Sequence, residues 1–342
     1  MKERNYNIDL LRIVCCFSVV IIHYAAILWY DSKLGSFDWR LGALIDALVR
    51  FCVPVFYMIS GALFLSKKEI NMKKIFSKNV LKILIIIAVW LPIHGIFSYY
   101  KYGNEITGLN SFSQIFKEII DNQYQFWFLF PLLSMYICLP ILKKISEYKK
   151  VTKYFLILFF IFQIIRQSII PIIGNGYKIK IINLFVPDLV LGYIGYFLLG
   201  YYLFNNNLDK KKIQLSYRLG GLSVVIAIIG TVCISIMANK KIDMFFGYYM
   251  ITTFFASIAV FNYFKYDVKV KFTKFIPFIS ECTMGIYILH NLVKWSFEML
   301  GVTVFIGPTF ITIPVFSLLN IIICITITIL IKKIPFFGKW LV

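Results

Sequence analysis

The sequence predicts an all-α polytopic membrane protein with ten transmembrane helices and both ends of the chain in the cytoplasm. Of the 342 residues, 60% are hydrophobic and 15% are charged, whereas soluble domains carry about 25% charged residues. The apolar residues come in runs of about twenty, separated by short clusters of lysine and arginine. A net charge of +20 suits nucleic-acid binding in a soluble protein, but basic clusters between apolar runs are typical of membrane topology. Nucleic acid is therefore excluded as a partner.

Each apolar run that is long enough to cross the hydrocarbon core predicts one helix. The longest connection, 101–124, is too short for a soluble domain, so residues 1–342 are expected to form a single membrane-embedded domain. The first run lacks the cleavage site of a signal peptide and is expected to persist as a helix. The predicted spans are, in chain order, 9–30, 41–65, 80–100, 125–142, 153–172, 187–204, 217–238, 244–264, 275–299 and 309–331.

Lysine and arginine are distributed unequally between alternate connections, and this asymmetry orients the helices. The side that includes the N-terminus collects 24 of the 36 basic residues, and the other side collects 10. Arg12 and Arg50 fall within spans. Because positive loops stay in the cytoplasm, both ends of the chain are predicted to be cytoplasmic. The expected location is a bacterial cytoplasmic membrane, and the basic loops are expected to contact its anionic lipids.

Five ionisable residues lie near the middle of predicted spans, where a charge is unfavourable without a partner or a wet cavity. From the helical rise, His23, His94, Arg166 and His290 lie about 20 Å from the cytoplasmic edge, and Arg50 lies about 16 Å from it. This common depth predicts a shared polar chamber. The alternative is that each residue makes an ordinary hydrogen bond between two helices.

Arg12 and His23 are separated by eleven residues, which is close to three helical turns. They should share one face of the first helix about 16 Å apart, with the cation near the cytoplasmic surface and the imidazole deep in the membrane. Asp9 can pair with Arg12, and Asp46 can pair with Arg50 at i,i+4 spacing. In the alternative interpretation, each acid merely neutralises its arginine.

Lysines recur every four residues at Lys74, Lys78 and Lys82, where the third span begins. This stripe predicts a clamp for the phosphates of an anionic cytosolic ligand. The alternative is that the lysines only determine membrane topology.

Two segments of the chain carry a family resemblance. The first is Ile8-Asp9-Leu10-Leu11-Arg12 with His23, and the second is Arg50-Phe51-Cys52-Val53-Pro54-Val55-Phe56-Tyr57-Met58-Ile59-Ser60-Gly61. Both resemble signature elements of the acyltransferase 3 family of integral-membrane O-acyltransferases, and in particular the branch that modifies surface polysaccharides. Weaker matches follow at 126–129, 192–201 and 285–290.

The resemblance implies ten spans, a cytosolic acyl-CoA donor and a hydroxyl acceptor on a surface polysaccharide or a lipid-linked glycan. The acyl group is expected to be acetyl, so that acetyl-CoA is a donor substrate and no bound cofactor or metal is expected. The donor phosphates are expected to bind Arg12 and the lysine stripe. A glycan synthase complex is the expected protein partner.

In this interpretation His23 is the general base that takes the proton from the acceptor hydroxyl. A variant has His23 acylated first and then discharged. The negative charge that develops on the thioester oxygen needs a cation, for which Arg50 is the first candidate and Arg166 the second. His290 or His94 would orient His23 or assist proton transfer.

Aromatic and polar residues elsewhere are candidates for binding the acceptor. Trp127 and Tyr124 can stack on a sugar ring, although Trp and Tyr also accumulate at membrane interfaces. Arg166 and His290 are further candidates for contacts with the acceptor.

The main alternative from another functional class is a polysaccharide or lipid-linked-sugar transporter, because transporters also gather charged residues at mid-depth. The sequence has no inverted repeat that supports it. A sensor or scaffold without catalysis leaves the Arg12–His23 spacing unexplained.

Overall fold

The computed structural model describes residues 4–101, 113–117, 119, 126–173, 186–270 and 274–342. Within these ranges the regular elements are helices and no strand occurs, which confirms the predicted all-α class. The main helices are, in chain order, α1 (Tyr6–Asp31), α2 (Phe37–Val49), α3 (Cys52–Leu65), α4 (Met72–Lys101), α5 (Leu129–Ile137), α6 (Leu139–Glu147), α7 (Lys149–Ile173), α8 (Ile194–Asn205), α9 (Lys210–Met237), α10 (Ile251–Tyr266), α11 (Phe275–Met299), α12 (Thr309–Lys332) and α13 (Gly338–Leu341).

Eight helical segments in the described ranges are long and apolar enough to cross a membrane. They comprise α1, α2 with α3, α4, α7, α9, α10 with the turn before it, α11 and α12. The pair α5 and α6 makes a ninth if it counts as one bent span. The bend at Cys138 has a local cause, since Pro140 lacks the amide hydrogen that would bond to the carbonyl of Tyr136.

In the sixth predicted span, 187–204, the α-helix is limited to α8, which has 12 residues and ends one residue beyond the span. A helix of that length rises about 18 Å, which is less than the ~30 Å thickness of the hydrocarbon core. The structure thus supports a polytopic membrane protein, whereas the count of ten and the orientation stay predictions.

Two helices begin well before the spans that hydropathy predicts. The third helix starts at Met72 rather than at 80, and the seventh starts at Lys210 rather than at 217. Their N-caps are Asn71, whose side chain accepts from the amide of Lys74, and Asp209, whose side chain accepts from the amide of Lys212. Hydropathy marks where a helix enters lipid, while a capping side chain marks where the helix begins.

The chain forms two compact units, each made of two stretches of sequence. Unit 1 comprises Met1–Glu69 with Pro140–Ser280, and unit 2 comprises Ile70–Leu139 with Glu281–Val342. In unit 1, α1 and α2 pack against each other. The rings of Trp29 and Trp39 stack at 5.2 Å, and Phe246 meets Trp29 edge-on at 5.2 Å.

Helices α3 and α8 of unit 1 approach each other through glycines. A Cβ atom at Gly61 would overlap with the carbonyl oxygen of Phe197, and one at Gly200 would overlap with the backbone of Met58. Small residues that let two backbones touch are the usual means of packing helices in lipid. The two helices therefore depend on glycine at these positions.

The distribution of buried and exposed side chains on helix α9 is that of a helix in lipid rather than in water. Its buried positions carry small or hydroxyl side chains, including Ser216, Gly220, Ser223 and Ala227. Its exposed positions carry large apolar side chains, namely Leu215, Leu222, Val225, Ile226, Ile229, Ile236 and Met237. Large apolar groups facing outward indicate a lipid environment, because water would favour the reverse arrangement.

Within unit 2, side chains donate hydrogen bonds to backbone carbonyl oxygens of neighbouring helices. Trp90 Nε1 donates to the carbonyl of Leu341 at 2.8 Å, and Asn320 Nδ2 donates to the carbonyl of His290 at 2.9 Å. Lys332 Nζ donates to the carbonyl of Glu281 at 2.8 Å. These bonds join α4 to α13 and α11 to α12.

Candidate functional site

The first turn of α1 carries a buried carboxylate that two arginines share. The Asp9 side chain is 9% exposed, and its Oδ2 accepts from Arg4 Nε at 2.6 Å. Its Oδ1 accepts from Ser280 Oγ at 2.9 Å and lies 3.6 Å from Arg12 Nη1. Arg12 Nη1 also donates to Ser280 Oγ at 3.3 Å. The predicted Asp9–Arg12 contact is confirmed, but Arg4 is the closer partner of Asp9, so Asp9 does more than neutralise Arg12.

Arg12 and His23 lie on one uninterrupted helix. Helix α1 continues from Tyr6 to Asp31, so the eleven residues between the two side chains span three turns and about 16 Å. The Arg12 side chain is 29% exposed, and His23 is half-buried. The continuous helix agrees with the prediction that the two residues share one face of α1. Their chemical roles stay predictions.

Arg50 lies at a break within the second span, which the sequence predicts as one helix over 41–65. Helix α2 ends at Val49 and α3 begins at Cys52. Pro54 causes the break, because its ring clashes with the carbonyl of Arg50 four residues earlier and supplies no amide hydrogen to it. The break is short, since Arg50 and Phe51 keep right-handed helical backbone angles and Phe37–Leu65 still forms one candidate membrane span.

The guanidinium of Arg50 is held by an acid and by aromatic rings. Its Nε donates to Asp46 Oδ1 at 2.6 Å, and its Nη2 donates to Asp46 Oδ2, so the predicted i,i+4 pair is confirmed as bidentate. Its Nη1 donates to Tyr248 Oη at 3.3 Å. The guanidinium carbon also lies 5.2 Å from the ring centre of Phe246 and 5.3 Å from that of Tyr248. The side chains of Arg50 and Asp46 are 16% and 6% exposed.

Replacing Asp46 by alanine is expected to destabilise the protein by about 3 to 5 kcal/mol, because it leaves the guanidinium of Arg50 buried without its carboxylate. The measurement is thermal unfolding of the purified protein in detergent. Asp31→Ala is the matched control, since Asp31 is exposed at the end of α1. Equal melting temperatures for the two variants would contradict a stabilising role of the pair.

Tyr248, which contacts Arg50, is followed by Tyr249, a member of a cluster of tyrosine rings in unit 1. The rings of Tyr57 and Tyr193 stack at 4.3 Å, and those of Tyr193 and Tyr249 lie 4.8 Å apart. The hydroxyl groups of Tyr193 and Tyr249 are hydrogen-bonded to each other. Tyr57 and Tyr193 are buried, whereas Tyr248 and Tyr249 are half-buried.

The turn that carries Tyr248 and Tyr249 is fixed by neighbouring helices. Tyr196 Oη on α8 donates to the carbonyl of Tyr248 at 2.7 Å, and Thr253 Oγ1 donates to the carbonyl of Gly247 at 3.0 Å. The amide of Ile251 donates to Ser168 Oγ on α7 at 2.8 Å. These bonds fix the backbone of the turn from which Tyr248 contacts Arg50.

Arg166 begins the last segment of α7, directly after the π-helical turn Phe160–Ile165. It is half-buried, and Ser168, two residues further on, anchors the amide of Ile251. Arg166 thus belongs to the same unit as Arg50. Its predicted role as a second cation for the oxyanion, or as an acceptor contact, stays a prediction.

A small, partly open pocket of about 10 Å³, the size of one water molecule, lies beside Arg50. Its wall includes Ala47, Ala227 and the hydroxyl side chains of Ser223, Thr252 and Thr253. Small side chains on three helices leave room there, so the guanidinium is accessible to a small polar group.

The lysine stripe is helical, but its three members differ in their surroundings. Helix α4 contains the π-helical turn Ile75–Val80, and Lys74 and Lys78 are exposed along it. Lys82 is half-buried, and its Nζ donates to the backbone oxygen of Val342 at 2.7 Å. Because this hydrogen bond holds its ammonium group, Lys82 has a structural contact that the predicted phosphate clamp did not include.

The histidines of unit 2 are both buried and hydrogen-bonded to backbone. His94 Nε2 lies 2.9 Å from the carbonyl oxygen of Ile288 on α11, and His290 Nδ1 lies 2.7 Å from that of Tyr287. An ordinary hydrogen bond between helices, the alternative interpretation from sequence, describes His94. The shared chamber of three histidines and the catalytic assistance by His290 stay predictions.

Of the two predicted sugar-stacking residues, the structure describes one. Trp127 is half-buried, and its ring lies edge-on to that of Phe128 at 6.4 Å. Phe128 in turn meets Tyr287 at 5.8 Å. Tyr124 lies outside the described residues.

Sequence reasoning missed Arg4, Ser280, Tyr248 and Tyr249 as neighbours of the predicted arginines. The contact between Arg4 and Asp9 could have been predicted from their spacing, since Arg4 precedes Asp9 by little more than one helical turn. Ser280 and the two tyrosines lie far along the chain from Arg12 and Arg50, and no local pattern connects them.

A comparison with known families gives one finding. The family model for an acyltransferase domain matches residues 5–329, which is nearly the whole chain. No curated protein matches the sequence, and no solved structure matches it.

Proposed function

The chain belongs to the acyltransferase 3 family, and from this premise we propose that it moves an acetyl group from cytosolic acetyl-CoA to a hydroxyl of a surface glycan or of its lipid-linked precursor. The observation that carries this proposal is the position of Arg12 and His23 on one face of an uninterrupted helix inside the matched region. A cation at one end and an imidazole about 16 Å further along suit a donor with a phosphate end and a distant thioester.

Arg12 holds the phosphate end of coenzyme A. Its guanidinium is fixed by Asp9 and Ser280 yet keeps 29% of the side chain exposed, so it is oriented without being enclosed. Orientation by neighbouring polar groups lowers the entropy that the arginine loses when it binds phosphate. Lys74 and Lys78 are exposed on α4, and the sequence-based expectation that they contact donor phosphates is retained as part of the proposal.

Replacing Lys74 and Lys78 together by glutamine is expected to raise the KM for acetyl-CoA about 3- to 10-fold, because two exposed phosphate contacts are lost. The kcat should change little. The matched control is the pair Lys149→Gln and Lys150→Gln, which removes the same charge from two other exposed lysines. An unchanged KM would contradict this role and would indicate that Lys74 and Lys78 only determine membrane topology.

His23 acts as general base in the transfer. It takes the proton from the acceptor hydroxyl as the hydroxyl oxygen attacks the thioester carbonyl. The carbon–sulfur bond then breaks, an ester bond has formed, and the proton passes from His23 to the departing thiolate of coenzyme A. In the acyl-histidine variant, the same atoms are exchanged in two steps.

Arg50 is the first candidate to stabilise the negative charge on the thioester oxygen. It lies at the short break between α2 and α3, and by helical rise it is within about two turns of the level of His23 on the neighbouring helix. Its bond to Asp46 fixes the guanidinium in position. Arg166 is the second candidate.

The acetyl-CoA step is tested with the purified protein in lipid nanodiscs. The measurement is the free coenzyme A thiol formed from acetyl-CoA, with and without a glycan-containing envelope extract. Thiol release that depends on the extract supports acyl transfer. A transporter that uses no acetyl-CoA would release none, and that result would contradict the proposal. No observation on the chain favours the transporter.

A further inference from the structure

A second arginine shares the carboxylate that orients Arg12. Arg4 Nε donates to Asp9 Oδ2 at 2.6 Å, whereas Arg12 Nη1 lies 3.6 Å from Asp9 Oδ1. Each guanidinium therefore contacts a different oxygen of the same carboxylate. Two arginines and one aspartate together carry one positive charge in excess, so this group of three side chains attracts an anion.

The acid of this group is buried, and the two cations are accessible. The side chain of Asp9 is 9% exposed, whereas those of Arg4 and Arg12 are 40% and 29% exposed. Ser280, which is also buried, donates to Asp9 Oδ1 at 2.9 Å and fixes the carboxylate further. An anion that approaches from solvent therefore meets the arginines before the carboxylate, and Asp9 keeps the two like charges together when no anion is bound.

Contacts with α11 place the two guanidinium groups about one helical turn apart. Arg4 Nη2 donates to the carbonyl of Pro277, in the first turn of α11, at 3.3 Å. Arg12 Nη1 donates to Ser280 Oγ, three residues and about 4.5 Å further along the same helix, at 3.3 Å. Arg4 itself precedes the start of α1, so its guanidinium lies on the other side of Arg12 from His23.

The order of these side chains matches the order of groups along coenzyme A. In the proposed function the thioester lies at His23 and Arg12 holds the phosphate end. Coenzyme A carries its diphosphate next to the pantetheine arm, and it carries a separate monophosphate on the 3′ oxygen of the ribose, further from the thioester. A cation one turn beyond Arg12 is therefore placed for the more distant phosphate. Arginine suits this ligand because its planar guanidinium binds two phosphate oxygens at once.

We propose that Arg4 binds the 3′-phosphate of the donor while Arg12 binds the diphosphate. Arg4 then makes the protein select coenzyme A over carriers that lack a 3′-phosphate. Asp9 is a positioning residue, because it holds both guanidinium groups from beneath and touches no phosphate. This inference rests on the proposed function for the identity of the donor, and it adds a residue that determines donor specificity.

The test measures equilibrium binding of coenzyme A and of 3′-dephospho-coenzyme A to the purified protein in nanodiscs of uncharged lipid. The wild type should bind coenzyme A about tenfold more tightly, because dephospho-coenzyme A lacks one charge-assisted phosphate contact. Arg4→Gln should bind coenzyme A about tenfold more weakly than the wild type does, and it should bind dephospho-coenzyme A within about twofold of the wild type. Arg12→Gln should weaken the binding of both ligands about equally.

Arg218→Gln is the matched control, since it removes an exposed arginine from α9, and it should bind both ligands like the wild type. Arg4→Lys keeps the charge without the planar guanidinium and should retain part of the preference for coenzyme A. Melting temperatures establish that each variant is folded. The comparison of the two ligands on the wild-type protein needs no variant.

Equal binding of the two ligands by the wild-type protein would overturn the inference, and so would a folded Arg4→Gln protein that keeps the wild-type preference for coenzyme A. Failure of the proposed function has a different signature. If Arg12→Gln weakens the binding of coenzyme A and Arg4→Gln does not, the donor site at Arg12 stands and only the role of Arg4 is wrong. If the wild-type protein binds neither ligand, the acetyl-CoA donor is contradicted, and the role of Arg4 with it.

Discussion

Replacing His23 by alanine is expected to lower the kcat of acetyl transfer at least about 100-fold, the usual contribution of a positioned general base. The half-buried imidazole lies on the same face of α1 as Arg12, so the donor should still bind when the base is lost. The measurement is the rate of thiol release from acetyl-CoA in the presence of acceptor. Expression and melting temperature should stay close to those of the wild type.

Two further variants distinguish catalysis by His23 from packing. His23→Gln keeps a polar side chain that makes hydrogen bonds but does not accept the proton, so it should be as inactive as alanine. Ile27→Ala removes a neighbouring side chain one turn further along the same helix and should leave transfer near the wild-type rate. If the glutamine variant retains activity, His23 serves only as a hydrogen-bonding group between helices.

Replacing Gly61 by alanine is expected to destabilise unit 1 by about 3 kcal/mol or more, the upper range for inserting a methyl group into a packed interior. The added Cβ would overlap with the backbone carbonyl of Phe197 on α8. A flexible side chain could move aside, but a carbonyl oxygen within a helix moves only with its backbone. We therefore expect a lower melting temperature and a lower yield of folded protein.

Gly221→Ala is the control for this substitution. Gly221 lies within α9, where a Cβ would meet nothing within 4 Å. Alanine there should leave stability unchanged or raise it slightly, because glycine is a poor helix former. A Gly61→Ala protein that melts like the Gly221→Ala protein would show that α3 and α8 separate without loss of stability.

Features that depend on spacing along one helix could be predicted from the sequence. The Arg12–His23 relation needs only a continuous helix, and the pairs Asp9–Arg12 and Asp46–Arg50 need only a separation of one turn. The apolar runs predicted most spans because a backbone in lipid must satisfy its own hydrogen bonds, which helices do. These features follow from local periodicity.

Features that depend on packing between distant segments could not be predicted in this way. The contacts of Arg50 with Tyr248 and of Arg12 with Ser280 join residues about two hundred or more positions apart. Lys82 reaches the backbone of Val342 for the same reason. The short helix α8 was predicted as a full span because hydropathy records apolar residues and does not show where the α-helix starts.

The break at Arg50 has a local cause that was visible in the sequence, yet it was not predicted. Pro54 was visible in the sequence, and its effect on the carbonyl four residues earlier is local chemistry. The apolar run nevertheless continued through it, and the prediction followed hydropathy. In the structure the arginine lies at the short interruption between α2 and α3, within a segment that still forms one candidate membrane span.

Arg12 is proposed to bind the donor, whereas His23 acts only in the chemical step. This difference is tested most directly by equilibrium binding of coenzyme A to the purified protein. The His23→Ala protein should bind coenzyme A as tightly as the wild type, whereas Arg12→Gln should bind it about tenfold more weakly and Arg12→Lys should lie in between. An Arg12→Gln protein that is folded and binds coenzyme A with wild-type affinity would contradict the account.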